Sequence, residues 1–295
     1  MDSIHIRFLR YSAFYSPLLL TMADGHLRAE GLEATYDVVA PGRTIPDGIR
    51  SGEVQVAQSA TAVSFGPWET GELMPFRHFA LLNSRDGFFL AGRNVPPGDF
   101  DWRSLEGRSV IVDHFFQPMA MFRRALHLKG VDARAVTIID AGDVQSIERA
   151  YREGRGDFVH MQGPAPQQLE HEGLGRVCAS VGEVVGPVAF STLCASTQWL
   201  GTEQASAFVR AFRRAREQAR SAPPAEIAAL EAAFLPGIDS AALARTIDTY
   251  QRMGTWDGEI DITPELYERT VEVFLFSGDI TTRPAYAEVV APVPR

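Results

Sequence analysis

Residues 45–59 read IPDGIRSGEVQVAQS, and residues 147–163 read IERAYREGRGDFVHMQG. Each begins with a short amphipathic run and passes a glycine suited to a helix exit, Gly52 or Gly154. An acidic residue, an apolar β-like run and a polar loop follow in both. One such helix–strand–loop unit in each half is too sparse for a solenoid period. It predicts an α/β protein of two lobes with similar architecture, facing each other.

Working outward, β-like runs alternate with helical ones, as α/β folds require. Strands are expected at 4–9, 34–39, 54–58, 76–82 and 87–92, with helices at 17–29, 44–51 and 61–69 between them. Pro96-Pro97-Gly98 is the strongest linker signal of the first half. A second set follows, with strands at 109–113, 135–140, 157–161, 177–180 and 188–195 and helices at 118–129, 144–153 and 166–172. The last third is helical. Thr202 and Thr263 are natural caps, and Pro264 suits a first turn.

The chain has 295 residues, 45% of them hydrophobic and 22% charged, enough for one large domain or two moderate ones. With 28 Lys+Arg against 37 Asp+Glu the formal charge is −9, which argues against nucleic acid as a partner. No run approaches the roughly 18 apolar residues of a membrane span, so no membrane insertion is expected. No signal-peptide core is evident either. The expectation is a periplasmic protein if a leader has been trimmed and a cytoplasmic one if the sequence is literally complete.

Phosphate-loop, GxGxxG, GxSxG and HExxH signatures are missing. The seven histidines lack metal spacing, so neither metal nor cofactor is expected. Asp113-His114 could orient an imidazole for base work, although a polar pair at a strand end is the simpler reading. Cys178 and Cys194 lie in β-like runs and are expected to be buried structural thiols, not nucleophiles. No catalytic residue is assigned.

In open α/β sheets ligands bind beyond the carboxyl ends of strands. Five loops at such places pair rings with hydroxyls and amides, the makeup of a small-molecule pocket. The candidate ligand-binding residues are Tyr11, Ser12, Phe14 and Tyr15 after the first strand, and Arg43 after the second. Gln58, Ser59 and Ala60 follow the third. His114, Phe115 and Phe116 follow the first strand of the second set, and Gln162 follows its echo strand. Of the adjacent pair Phe14 and Tyr15, only one ring can face a cleft. Tyr15 is the better candidate, because its hydroxyl needs a partner that an apolar core does not supply. Arg43, just ahead of a helix, is a candidate for an acidic ligand group.

Three segments carry a resemblance. Pro17-Leu18-Leu19 leads to Ala23-Asp24-Gly25-His26-Leu27 and Glu30-Gly31-Leu32-Glu33. The second segment is Ile49-Arg50-Ser51-Gly52-Glu53-Val54-Gln55-Val56-Ala57. The third is Leu105-Glu106-Gly107-Arg108-Ser109-Val110-Ile111-Val112. Together they resemble the solute-binding proteins of bacterial ABC importers, in the branch that takes nitrate, sulfonates, taurine and thiamine-pyrimidine precursors. The resemblance implies a type II periplasmic-binding-protein fold with two hinge crossings. It implies residues 1–92 as the first part of lobe one, 93–190 as lobe two, and 191–295 as a return to lobe one with a helical C-terminal region. It further implies a small organic ligand (a sulfonate, a carboxylate or a pyrimidine-like heterocycle) held between the lobes, and an ABC permease as partner. The family's usual aspartate in the second segment is Gln55 here. The alternative is an enzyme on the same fold, desulfinase-, decarboxylase- or pyrimidine-synthase-like. The desulfinase relatives carry a cysteine in the loop after the first strand, where this chain has Phe14.

Overall fold

The computed structural model describes residues Met1 to Arg295. Ten strands form two sheets. The first contains β1 (Asp2–Phe8), β2 (Leu32–Val38), β3 (Val56–Ser59), β4 (Arg77–Asn83) and β10 (Ser191–Ala195) in the order β2-β1-β3-β10-β4. The second contains β5 (Phe88–Gly92), β6 (Ser109–Val112), β7 (Thr137–Ile139), β8 (Phe158–Gln162) and β9 (Arg176–Ser180) in the order β7-β6-β8-β5-β9. The two orders are equivalent. In each, three parallel strands come first, and the strand delivered from the other lobe enters antiparallel at the fourth place. The echoed units identified in the sequence supply β3 and β8, which hold the same third place in their sheets.

The chain leaves the first sheet after Asn83 and pairs in the second from Phe88. It leaves the second after Ser180 and re-enters the first at Ser191. Phe88–Gly92 thus lies wholly in the second sheet and Ser191–Ala195 wholly in the first. The two crossings run against each other. Val188 N–H donates to Ser84 O at 2.9 Å and Phe190 N–H to Asn83 O at 3.2 Å. They also touch backbone to backbone, since a Cβ on Gly182 would lie 2.2 Å from Asp86 O. On the outgoing crossing, a Cβ on Gly87 would lie 2.3 Å from the Phe14 ring. Both positions need a residue without a side chain.

Strand alternation sorts the core. Val110 and Val112 of β6 face the helix Phe116–Leu128, while Ile111 packs on the other side with Ile147, Tyr151 and Val159. The main cluster of 66 buried residues is continuous through the crossings, where Phe14, Phe88 and Phe190 meet. The lobes therefore share a core at their junction.

Helix limits followed local chemistry. Thr44 Oγ1 accepts from Asp47 N–H, and Ile45–Ser51 ends at Gly52 in the left-handed region (φ 78°). The single helix expected over 17–29 is broken, because Gly25 takes φ 73° and separates Ser16–Ala23 from His26–Ala29. Residues 61–69 start as a 3-10 turn, Thr61–Ser64, before the α-helix Phe65–Glu69. The long C-terminal helix Glu203–Ser221 covers Ser16–Ala23 in lobe one. Two later helices also reach lobe two. Ser240–Arg252 packs on Ala165–His171, and Pro264–Ser277 packs on Phe116–Leu128 with Phe274 4.6 Å from Phe116.

Candidate ligand chamber

The loops at the carboxyl ends of the two sheets enclose a chamber of about 330 Å³. Lobe one supplies Leu9 and Arg10 beyond β1, Tyr15 in the turn that follows, and Gln58 and Ala60 at the end of β3. Ala62, Val63, Gly66 and Pro67 complete that wall. Lobe two supplies Phe115, Phe116, Gln117 and Pro118 from the start of the helix Phe116–Leu128, together with Gln162 at the end of β8. Phe88, Phe190 and Ser191 close the chamber at the crossings. A groove of about 430 Å³ on lobe one adjoins it, sharing Leu9, Val63 and Phe115.

Of the twelve candidates, Tyr15, Gln58, Ala60, Phe115, Phe116 and Gln162 line the chamber, and Ser59 lines the adjoining groove. The other five lie elsewhere. Tyr11 sits in an aromatic cluster with Phe8, Tyr36 and Phe234. Ser12 Oγ accepts from Phe14 N–H and donates to Gly163 O, which ties the first loop of lobe one to lobe two. Phe14 is wholly buried, ringed by Tyr15, Phe190 and Tyr250. Arg43 pairs with Asp37 at 2.8 Å and lies 3.5 Å from Glu53. His114 turns away, its Nδ1–H donating to Val112 O at 2.7 Å. No Asp113–His114 dyad forms, because the Asp113 carboxylate is engaged by Arg10 and Phe115 N–H.

Sequence reasoning missed Phe88, Phe190 and Ser191, because residues that open or immediately precede the strand delivered from the other lobe follow no loop-after-strand rule. Arg10 and Gln117 flank the candidates of their loops and also line the chamber. Side-chain reach settles both. Arg10 Nη1 spans the lobes to Asp113 Oδ2 at 2.9 Å, with its guanidinium 6.0 Å from the centre of the Phe115 ring. Gln117 Nε2 donates to Phe190 O at 3.0 Å.

The polar groups are few and mostly committed. Gln58 Oε1 accepts from Leu9 N–H at 3.0 Å. Gln162 Nε2 donates to the Tyr15 hydroxyl at 3.3 Å, whereas Gln162 Oε1 is buried without a partner. Burial raises the Tyr15 hydroxyl above the usual phenol range. Behind Phe88 lies His160, stacked 4.8 Å from that ring with both ring nitrogens unpartnered. Burial pushes its pKa down to about 3, so it is neutral at pH 7. Asp86, on the outgoing crossing, is wholly buried with one oxygen unpartnered, and burial raises it well above the carboxylate range. Such a set can hold, orient and desolvate a small apolar molecule.

Both cysteines lie off the chamber, Cys178 on β9 and Cys194 on β10. Burial raises both thiols, Cys178 to about 12. A cluster of His5, Asp37 and Glu53 lies on lobe one with ligand-type atoms within 4.8 Å of one another. Its carboxylates are already taken up by arginines. Arg7 grips Asp37 through Nε and Nη2 at 2.8 and 2.9 Å and reaches Glu53 at 2.9 Å, and Arg43 adds to both. No helix is long and apolar enough to cross a membrane.

Comparison with known proteins places these features in a wider group. The family model described as "NMT1/THI5 like" matches residues 15–226. A Bacillus subtilis (strain 168) protein named "Putative binding protein YtlA" is 22% identical over 294 residues, 98% of this chain and 88% of that one. Two solved structures share the fold at 15% identity. One is the ligand-binding component of an ABC-type import system from Staphylococcus aureus with zinc bound, with a TM-score of 0.74 over 99% of this chain and 97% of that one. The other is a Cys-to-Ser variant of DszB in complex with biphenyl-2-sulfinic acid, with a TM-score of 0.72 over 99% and 96%.

Proposed function

The chain belongs to the NMT1/THI5-like family, and from that premise we propose that it is a solute-binding protein that encloses a small, flat organic molecule between its lobes for an ABC importer. The observation that carries this reading is the chamber itself. Its walls come from both lobes, Arg10–Asp113 and Tyr15–Gln162 link them at the chamber, and Ser12–Gly163 ties the lobes nearby. A site split in this way binds by bringing two bodies together, the usual logic of hinge closure. Phe88, Phe115, Phe116 and Phe190 suit a ring, and Tyr15, Gln162 and Ser191 orient it. The permease would be the partner, and capture would take place outside the cytoplasmic membrane.

A thermal-shift screen across aryl, heteroaryl and aliphatic compounds tests the proposal, since a ligand selective for the native state raises the melting temperature by mass action. A cyclic or aryl compound should shift the melt, and saturation should reduce the radius of gyration in solution scattering. A screen with no hit among ring compounds would refute the reading. The enzyme reading draws on the fold shared with DszB. It makes a different forecast: the tightest ligand, incubated with the protein, would return as product.

A further inference from the structure

Arg10 is the only ionisable cation among the residues lining the chamber. It is not free. Asp113, whose side chain is 7% exposed, holds Arg10 Nη1 at 2.9 Å through Oδ2. Through Oδ1 the same carboxylate accepts from Phe115 N–H at 2.9 Å, at the start of the thirteen-residue helix Phe116–Leu128. That helix end is the other feature of the chamber that would attract an anion. One carboxylate therefore sets its negative charge beside both. Of the neighbouring titratable groups, burial holds His160 neutral and favours the uncharged form of Asp86. An anionic ligand would have to share Arg10 with Asp113, setting a second negative charge beside a nearly buried carboxylate against a single cation, and like charges in a poorly solvated site repel strongly. The chamber also has an acceptor in need of a donor, the buried Gln162 Oε1, and leaving such a group unpaired is costly. A sulfonate or carboxylate offers it nothing.

We infer that the chamber takes an uncharged aryl or heteroaryl ligand carrying an N–H or O–H donor, and that Asp113 is the residue that excludes the corresponding acids. The inference rests on the capture reading and narrows its ligand class. It sets this chamber apart from that of the DszB variant, whose bound molecule is a sulfinic acid.

The test uses matched pairs that differ in charge at one group: aryl carboxamides against carboxylates, and aryl sulfonamides against sulfonates, over one- and two-ring frames. Titration calorimetry on the full chain should show the neutral member bound at least tenfold more tightly. Asp113→Asn keeps a side-chain oxygen for Phe115 N–H, removes the charge and frees Arg10, so the preference should invert. The double variant Arg10→Gln/Asp113→Asn restores neutrality and should restore the preference for the neutral member, and it serves equally if Asp113→Asn alone folds poorly. Equal or tighter binding of the acids by the parent would overturn the inference while leaving capture intact. An unchanged ratio in a folded Asp113→Asn protein would overturn it as well. If no pair member and no ring compound of the wider screen binds, the capture reading falls and the inference with it.

Discussion

Replacing Phe14 by Ala should cost stability and spare binding. The Phe14 ring is wholly buried, with Tyr15, Phe190 and Tyr250 at 5.4, 5.5 and 5.2 Å between centroids. The hole left behind cannot readily collapse. Phe14 O is held by Asn83 Nδ2 at 2.6 Å and by Trp256 Nε1 at 3.2 Å, which pins the backbone from two directions. The loss should therefore reach the usual range for removing a buried ring, about 3–5 kcal/mol. At about 2–4 °C per kcal/mol for a chain somewhat smaller than this one, the melting temperature should fall by roughly 6–20 °C. Phe14 does not line the chamber, so the dissociation constant of a ring ligand should stay within about threefold, ~0.7 kcal/mol, measured well below the variant's melt. Tyr15→Ala differs in that it should cost affinity as well as stability, since Tyr15 is buried and also lines the chamber. Loss of a ring from the chamber wall should weaken binding by about 1–3 kcal/mol, roughly tenfold to a hundredfold in dissociation constant. Calorimetric titration and thermal melts of the two variants separate the roles. A Phe14→Ala protein that melts like its parent while losing affinity would refute the assignment.

Gly87→Ala would force a Cβ to 2.3 Å from the Phe14 ring, so it should destabilise by about 1–3 kcal/mol. In a Phe14→Ala background the cost should largely vanish, and additive melting shifts would disprove the clash. Burial raises the Asp86 carboxyl well above its usual range, whereas in the unfolded chain it titrates near 3.9. Above about pH 4 the unfolded state thus sheds a proton that the folded state keeps, and this group's contribution to stability falls as pH rises. The melting temperature of Asp86→Asn relative to its parent should therefore climb between pH 5 and 8, and parallel curves would count against a neutral Asp86. Cys178 and Cys194, both with thiols raised by burial, should resist a thiol reagent at pH 8 in the native protein. Both should react in denaturant, and rapid labelling of either in the native state would contradict the burial.

Local signals marked the elements well because their causes are local. Thr44, Thr202 and Thr263 cap the helices their spacing suggested, each accepting an N–H from three residues ahead. The duplicated unit was readable because both copies meet the same demand, a parallel strand at the third place of a sheet. Side-chain partners from distant segments were not readable. Nothing near Arg43 in the chain announces Asp37 and Glu53 beside it, and the two carboxylates draw it away from the role its loop suggested. The pairing of Arg10 with Asp113 spans 103 positions. Phe88–Gly92 and Ser191–Ala195 have strand character that would suit either lobe. Only hydrogen bonding to a particular neighbour decides which sheet such a run joins.

The late arrival of β10 imposes an order in time. All of β5 to β9 is synthesised before Ser191, so every strand of the second sheet exists while the first still lacks the strand that joins β3 to β4. The helix that covers Ser16–Ala23 comes later still, at Glu203–Ser221. Domains tend to fold as their residues emerge, yet here the segment synthesised first is finished last. A chain ending before residue 191 has all five strands of the second sheet but leaves β3 and β4 of the first with unpaired edges, the kind that recruit strands from other chains. The N-terminal half of the protein is thus the part that most needs shelter during synthesis, although in the finished fold it holds some of the most deeply buried residues.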